Sequence, residues 1–342
     1  MGSASELEVL DRLGALYGLE GELGPVRGVV AALPALLLEA SVSLPARQER
    51  ELRLTLGLAS RPEDPDSRSA LVEAVSGLGA ASLAGAVDEA LATLEATASR
   101  PLARSVALRV RARESVRPRP GALVGGATHA ERSARMAEAM LRLGLDGPAA
   151  LHRRLANRLA ANPFNTVVPY ALAFDVAPEQ ALGAKTYFAC EWTDVALGLL
   201  RGLADDLQIE GVESFERLAA AAGESARGRW LFELSFDLPA DPELGVRAKA
   251  YVPAPRLAPN EEEGHAAVLR LAGELGFDPG PYEELLAPLR PDGLAPASER
   301  PCSLMVGVSA SASGSSLEVY VFRPAAPVAR PANGGPAGSA GP

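Results

Sequence analysis

Several things are scarce in this chain, and each scarcity narrows the field. Cysteine occurs twice, at Cys190 and Cys302. That is too few for a disulfide framework and fits a reducing, cytoplasmic setting. The three histidines, His129, His152 and His265, fall on separate helical patterns, so surface roles are expected and no metal constellation is. No apolar run reaches the length of a membrane span, and no signal peptide is recognised. The start, Met1-Gly2-Ser3-Ala4-Ser5-Glu6, lacks the Ser/Thr of an N-myristoyl signal, so no anchor is expected. A net charge of −10 argues against nucleic acid as the main partner. Lysine is scarcer than its class predicts: of 33 basic residues, only Lys185 and Lys249 are lysine.

Each lysine stands two places before a tyrosine, in Lys185-Thr-Tyr187 and Lys249-Ala-Tyr251. With 6 tyrosines in 342 residues, composition alone would give both pairs roughly once in 3000 chains. On a strand, residues i and i+2 share a face. Each pair therefore presents an ammonium beside a phenol ring, a surface suited to an anion next to something cationic or apolar.

The second half contains a repeat. Leu172-Ala-Phe-Asp-Val176 leads through a Pro/Glu/Gly turn to Gly183-Ala-Lys-Thr-Tyr-Phe188. Leu234-Ser-Phe-Asp-Leu238 leads in the same way to Gly245-Val-Arg-Ala-Lys-Ala-Tyr-Val252. A third copy runs from Cys302 to Ala310 and on to Leu317-Glu-Val-Tyr-Val-Phe322. Copies recur roughly every 65 residues, with helical patterns at 192–208, 212–223, 261–276 and 281–289 between them. The unit is two helices and one antiparallel hairpin. The first half reads the same way. Helices at 5–16 and 24–33 precede a hairpin of 37–44 and 51–60. Helices at 67–78 and 84–97 precede strand 104–114, with a partner near 121–125. Helices at 128–143 and 148–160 lead into the first clear repeat. Residues 1–323 are expected to form one domain, and 324–342 a disordered Pro/Gly/Ala-rich tail.

The faces of these strands set the architecture. In 104–114, Val106, Leu108 and Val110 oppose Arg109, Arg111 and Arg113. In 51–58, Leu52, Leu54, Leu56 and Leu58 oppose Glu51, Arg53 and Thr55. In 317–322, Leu317, Val319 and Val321 oppose Glu318, Tyr320 and Phe322. The aliphatic faces suit a covering of amphipathic helices. The other faces carry arginine and tyrosine rather than the Lys, Glu and Thr of a solvated sheet. An α+β fold follows: a ten-stranded antiparallel barrel of repeated ααββ units, helices outside, with a solvent-filled lumen.

Cations converging in such a lumen repel one another unless they surround a polyanion. A diphosphate suits arginine forks and lysine point charges, and the rings of Tyr187, Tyr251 and Tyr320 would shield a carbocation. Together they describe an allylic prenyl diphosphate at ionisation, with an electron-rich aromatic ring as acceptor.

These motifs resemble the dimethylallyltryptophan synthase family of aromatic prenyltransferases, whose fold is the PT (ABBA) barrel. The family's strands carry Leu-Ala-Phe-Asp followed by Lys-x-Tyr, then Arg-x-Lys-x-Tyr, then Gln-x-Tyr. This chain has Leu172-Ala173-Phe174-Asp175 with Lys185-x-Tyr187, then Arg247-x-Lys249-x-Tyr251, then Glu318-x-Tyr320. The resemblance implies that Lys185, Arg247 and Lys249, with an arginine from an earlier strand, hold the diphosphate; the strand faces offer Arg53, Arg109, Arg111 and Arg113 to join them. It implies that Tyr187, Tyr251 and Tyr320 shield the cation. Glu318 departs from the family's glutamine. Val110-Arg111-Ala-Arg-Glu114 resembles the family's early arginine motif, with Arg109 competing. For the glutamate that accepts an indole N–H, Glu51 is the nearest match and Glu39 the alternative; Glu233 lies on a similar face. By motif order the three clear hairpins match the family's second to fourth, and by strand count its third to fifth.

Asp175, Asp237 and Tyr170 read as turn, capping and structural residues. Asp205-Asp206 begins an Asp-rich Mg²⁺ motif but lacks its second half. Lysines and arginines would take over the metal's charge, so no cofactor is expected and Mg²⁺ is not required. The partners expected are a prenyl diphosphate and an aromatic small molecule, with no nucleic acid and no membrane, in a monomer or homodimer. A bacterial enzyme of secondary metabolism acting on indole or tryptophan is expected, although the chain is short for the family's fungal members and nearer in length to its phenol- and naphthalene-modifying relatives. Phenol, naphthalene or peptide aromatic acceptors are alternatives, as is a non-catalytic ligand-binding barrel.

Overall fold

A computed structural model of the chain describes residues 4–33, 35–44, 51–58, 67–96, 103–161, 167–191, 194–209, 212–222, 230–253, 260–289, 304–311 and 314–324. Cys302 and the expected tail from 325 onward lie outside the described residues. Five units of two helices and a hairpin follow one another. The first is α1 (Ala4–Tyr17), α2 (Gly24–Ala32), β1 (Ala35–Leu44) and β2 (Glu51–Leu58). The second is α3 (Ser67–Val75), α4 (Ala84–Glu95), β3 (Arg104–Arg111) and β4 (Arg117–Leu123). The third is α5 (His129–Arg142), α6 (Asp146–Ala160), β5 (Val167–Val176) and β6 (Ala181–Glu191). The fourth is α7 (Asp194–Leu207), α8 (Glu213–Ala222), β7 (Trp230–Pro239) and β8 (Arg247–Pro253). The fifth is α9 (Glu261–Leu275), α10 (Gly280–Leu289), β9 (Leu304–Ser311) and β10 (Gly314–Pro324). The clear repeats are therefore the third, fourth and fifth hairpins.

Each strand pairs antiparallel with its neighbours, and β1 pairs with β10, so the sheet closes into a ten-stranded barrel. This is the PT-barrel architecture. Alternation carries the closure: Leu52, Leu54, Leu56 and Leu58 of β2 and Val106, Leu108 and Val110 of β3 are all buried under the helices. Their i±1 neighbours turn to the lumen. Helix α10 packs on β1, β10 and α1, which joins the last helix pair to the first. Between α3 and α4 the chain kinks at Gly79, whose φ of +96° favours glycine. That apolar stretch is thus two helices, and Leu71, Val75, Val87, Leu91 and Leu94 pack into the barrel's outer core.

Three expectations change. Strand β3 ends at Arg111, and Arg113 takes φ +63° in the following turn, off the lumen ladder. Strand β4 starts at Arg117, not near Gly121, because Pro118 and Pro120 hide a strand from pattern reading. Both prolines fall where β4 pairs only with β3, and the ladder to β5 begins at Gly121. The histidines are not surface groups. His152 is fully buried, 3.2 Å from Ser133 Oγ and stacked on Phe188, and burial pulls its imidazole down to about 4. His129 and His265 are half-buried between helices.

Truncating a helix-facing strand residue tests this account of the barrel wall. Leu54, on β2, is 1% exposed, and Leu54→Ala should lower the free energy of unfolding by about 2–5 kcal/mol. Urea denaturation measures it. A change below half a kilocalorie or so would mean that this face is not packed.

Candidate active site

The lumen encloses a cavity of about 570 Å³, a size that holds a small organic ligand. Its lining is graded along the barrel axis. Counting from the end where the hairpins turn, β8 presents Arg247, Lys249 and Tyr251, β6 presents Lys185 and Tyr187, and β10 presents Glu318 and Tyr320. On each strand the charge comes first and the ring second. The register adds Arg53 of β2 beside Arg109 of β3, and Asp237 of β7 beside both Lys185 and Arg247.

The cations are held by internal partners. Lys249 Nζ lies 2.7 Å from both Glu318 carboxylate oxygens. Lys185 Nζ donates to the Tyr251 hydroxyl at 2.6 Å and sits 5.0 and 5.2 Å from the Tyr187 and Tyr251 ring centres. Arg119 of β4 forks onto Asp175 at 2.6 and 2.5 Å and reaches Asp237 at 3.2 Å. It ties β4 to β5 and β7 where the two prolines leave the sheet unladdered. Glu51 is bound by Arg53 and by Arg111 at 2.6 Å, with Arg109 at 3.6 Å.

Burial and these pairs set the protonation states. Burial pushes the Glu318 carboxyl up, but Lys249 and Arg53 outweigh it and hold it well below the usual range. The same contest leaves Glu51 at about 2, under Arg53 and Arg109. Burial pulls the Lys185 and Lys249 ammonium groups down, against Asp237 and Glu318 respectively. Arg109 is drawn down to about 10, mainly by burial. These cations are therefore costly to hold in the barrel and gain from an added anion.

Past the charges lies the ring layer. Tyr251 and Tyr320 tilt against each other at 5.6 Å, and Tyr170 against Tyr187 at 6.2 Å. Gly307 of β9 makes room for Tyr251, since a Cβ there would stand 2.8 Å from the ring. Two further carboxyls adjoin the rings, Glu39 past Tyr320 and Glu233 level with Tyr251. Glu39 of β1 accepts from Thr55 at 2.8 Å, and burial raises it to about 7. Glu233 of β7 stands opposite Tyr251, accepts from Tyr170 and is also raised by burial.

The structure thus gathers Arg53, Arg109, Lys185, Arg247, Lys249, Tyr187, Tyr251 and Tyr320 around one cavity. Arg111 is turned toward Glu51 and Glu114 at the hairpin end. Glu51 is likewise committed to arginines, whereas Glu39 lines the cavity. Arg119 was illegible in a proline-broken run. Asp175 and Asp237, expected in turn roles, hold Arg119 on the lumen side. Tyr170, expected to be structural, lines the cavity because a bulge between Pro169 and Ala171 turns it inward. Asp206 pairs with Arg158 on the outside of the barrel.

No protein-family model and no curated protein matches the sequence. Solved structures do match in shape. 6-Dimethylallyltryptophan synthase from Micromonospora olivasterospora superposes with a TM-score of 0.72 at 18% identity, over 94% of this chain and 96% of that one. 5-Dimethylallyltryptophan synthase from Streptomyces coelicolor gives 0.70 at 19%, over 93% and 96%. AnaPT from Neosartorya fischeri gives 0.56 at 16%, over 85% and 79%. At these identities the likeness is one of fold, and it covers the whole barrel.

The raised Glu39 carboxyl has a measurable consequence. Folded, it keeps its proton up to about pH 7; its ordinary value is 4.5. Between those values the native state binds more protons than the unfolded chain, so its contribution to stability falls as pH rises. Glu39→Gln should therefore stabilise the protein at pH 8, by up to about 3 kcal/mol, and change little at pH 4. Denaturation at both pH values checks it; equal effects at the two would mean that Glu39 is not buried as described.

Proposed function

We propose that the protein is an aromatic prenyltransferase. It would move a dimethylallyl or longer prenyl group from its diphosphate to an electron-rich aromatic carbon, with an indole such as tryptophan as the preferred acceptor. The observation that carries this reading is the stacking of a cation layer directly against a layer of tyrosines in one cavity inside the closed barrel. Support also comes from complexes of the similar structures. One holds DMASPP and Trp, another L-tryptophan and dimethylallyl thiolodiphosphate, and a third the product diphosphate.

In this reaction Lys185, Lys249, Arg53, Arg109 and Arg247 bind the diphosphate and stabilise charge growing on it as the allylic C–O bond breaks. Arg119 joins them from its place between Asp175 and Asp237. Tyr187, Tyr251 and Tyr320 lie where the allylic cation forms, and their rings shield it from water. Glu39, rather than Glu51, is assigned the acceptor-facing role. It lies past the rings, and its pKa near 7 suits a group that accepts a proton or an N–H hydrogen bond. Because side-chain cations do the charge neutralisation, turnover should not depend on added Mg²⁺.

Incubation with dimethylallyl diphosphate and a panel of tryptophan, tyrosine, indoles and polyphenols, read by mass spectrometry, tests the reading. The expected result is a singly prenylated indole, released diphosphate, and turnover that survives EDTA. Ligand-induced stabilisation with no product would identify a binding barrel instead. Lys185→Met removes an ammonium whose hydrogen bond goes to a neutral phenol, so the fold should persist. kcat/KM should fall about 10²–10³-fold; unchanged turnover would count decisively against the scheme.

A further inference from the structure

Two cations of the proposed diphosphate seat, Lys249 and Arg53, converge on an atom already in place. Glu318 Oε1 lies 2.7 Å from Lys249 Nζ and 3.7 Å from an Arg53 Nη. Its Oε2 takes Lys249 at 2.7 Å and the Tyr320 hydroxyl at 2.5 Å. An anionic oxygen therefore occupies the point where a phosphate oxygen of the donor would be held.

Of the other carboxylates on these cations, Glu51 is 6% exposed but holds Arg53 and Arg109 from outside the cavity lining, whereas Asp175 and Asp237 can yield. The side chains of Asp175 and Asp237 are 34% and 22% exposed at the hairpin end, so they can rotate off Arg119 into water. Glu318 is different. Its side chain is 2% exposed and fixed on β10 between its register partners Gly307 of β9 and Ser43 of β1. Around it stand Lys249 and Tyr251 of β8, Arg53 of β2, Lys185 of β6, Glu39 of β1 and Tyr320 of its own strand. Among the described residues of β9, the neutral Gly307 and Ser309 share this face. A buried carboxylate that cannot withdraw from an arriving polyanion gains relief by taking a proton.

We infer, on the prenyltransferase reading above, that Glu318 is a further catalytic residue: it takes up one proton from solvent as the diphosphate binds. As a neutral acid it then donates a hydrogen bond to the diphosphate, and Lys249 and Arg53 turn from the carboxylate to the phosphate oxygens. The hydrogen bond strengthens as charge develops on the leaving group. The proton returns to solvent when diphosphate leaves, so the cycle balances.

The test is calorimetric titration of the full chain with inorganic diphosphate at pH 8, in buffers of differing ionisation enthalpy. Wild type and Glu318→Gln are compared, which cancels the ionisation of diphosphate itself. Wild type should take up about one proton more than the variant, and the variant should bind at least about a thousandfold tighter at this pH, because the wild-type carboxyl, held below its ordinary value, must first be protonated. Equal uptake overturns the inference, as does weaker binding by the variant. Greater uptake by the variant would place the proton on Lys249, whose ammonium loses a partner when Glu318 is neutralised, and would also overturn it. Binding to neither protein would sink the prenyltransferase reading together with the inference. Should the variant not fold, infrared difference spectra of wild type decide: a new carboxylic-acid carbonyl band on adding diphosphate supports it, and no such band overturns it.

Discussion

A charge inside a closed barrel has to be matched inside the same barrel, because bulk water is not there to do it. This constraint organises the lumen. Each buried cation has acquired a carboxylate or phenol partner: Glu318 for Lys249, Asp175 and Asp237 for Arg119, Glu51 for Arg53, and the Tyr251 hydroxyl for Lys185. The matching differs in quality. Arg119 has a forked, bidentate partner, which is the strong arrangement for a guanidinium. Lys185 donates its hydrogen bond to a neutral oxygen and lies against two ring faces, with Asp237 acting on it through space, so it gains from a ligand of opposite charge.

The barrel supplies the second half of this logic. Alternation puts the aliphatic residues of β2 and β3 under helices and their charged neighbours into the lumen. A single-residue slip in register would exchange the two sets. The same geometry that makes the core therefore gathers the charges, and the cost of gathering them is carried by helix-on-sheet packing around the whole ring. Closure between β1 and β10 removes the sheet edges that would otherwise let water reach Glu318 and Tyr320.

The sequence made most of this plan legible, for identifiable reasons. Two lysines among many arginines, each followed by a tyrosine two places on, marked the lumen faces of β6 and β8 before any fold was known. Uniform leucine on one side of β2 did the same for the helix-facing wall. Illegible features arose where local pattern and tertiary structure conflict. Pro118 and Pro120 argue against a strand on their own, yet β4 forms because only β3 needs its donors there, and Arg119 was lost with it. Tyr170, read as structural, reaches the lumen because a bulge breaks the alternation of β5. Glu39 and Glu51 share a hairpin and a residue type. Only packing separates them: three arginines converge on Glu51, while the buried Glu39 meets a threonine hydroxyl and is pushed toward neutrality.

The order of groups along the axis gives the cavity a direction. Cations and the partly exposed Asp175 and Asp237 lie at the hairpin end, rings come next, and of the two raised carboxyls Glu233 is level with Tyr251 and Glu39 lies past Tyr320. In the proposed reaction that order matches the order of events: leaving-group charge is neutralised first, the carbocation is sheltered next, and the proton lost from the ring has acceptors waiting on the far side. Exchanging the layers would fail on physical grounds. A tyrosine at the hairpin end would shelter nothing from water, and an ionised carboxylate against the rings without the lysine and arginine that hold Glu318 would be free to capture the cation. The raised pKa of Glu39 belongs to the same design, because a carboxyl held near neutrality close to the cation is a weak nucleophile and still a competent partner for an N–H.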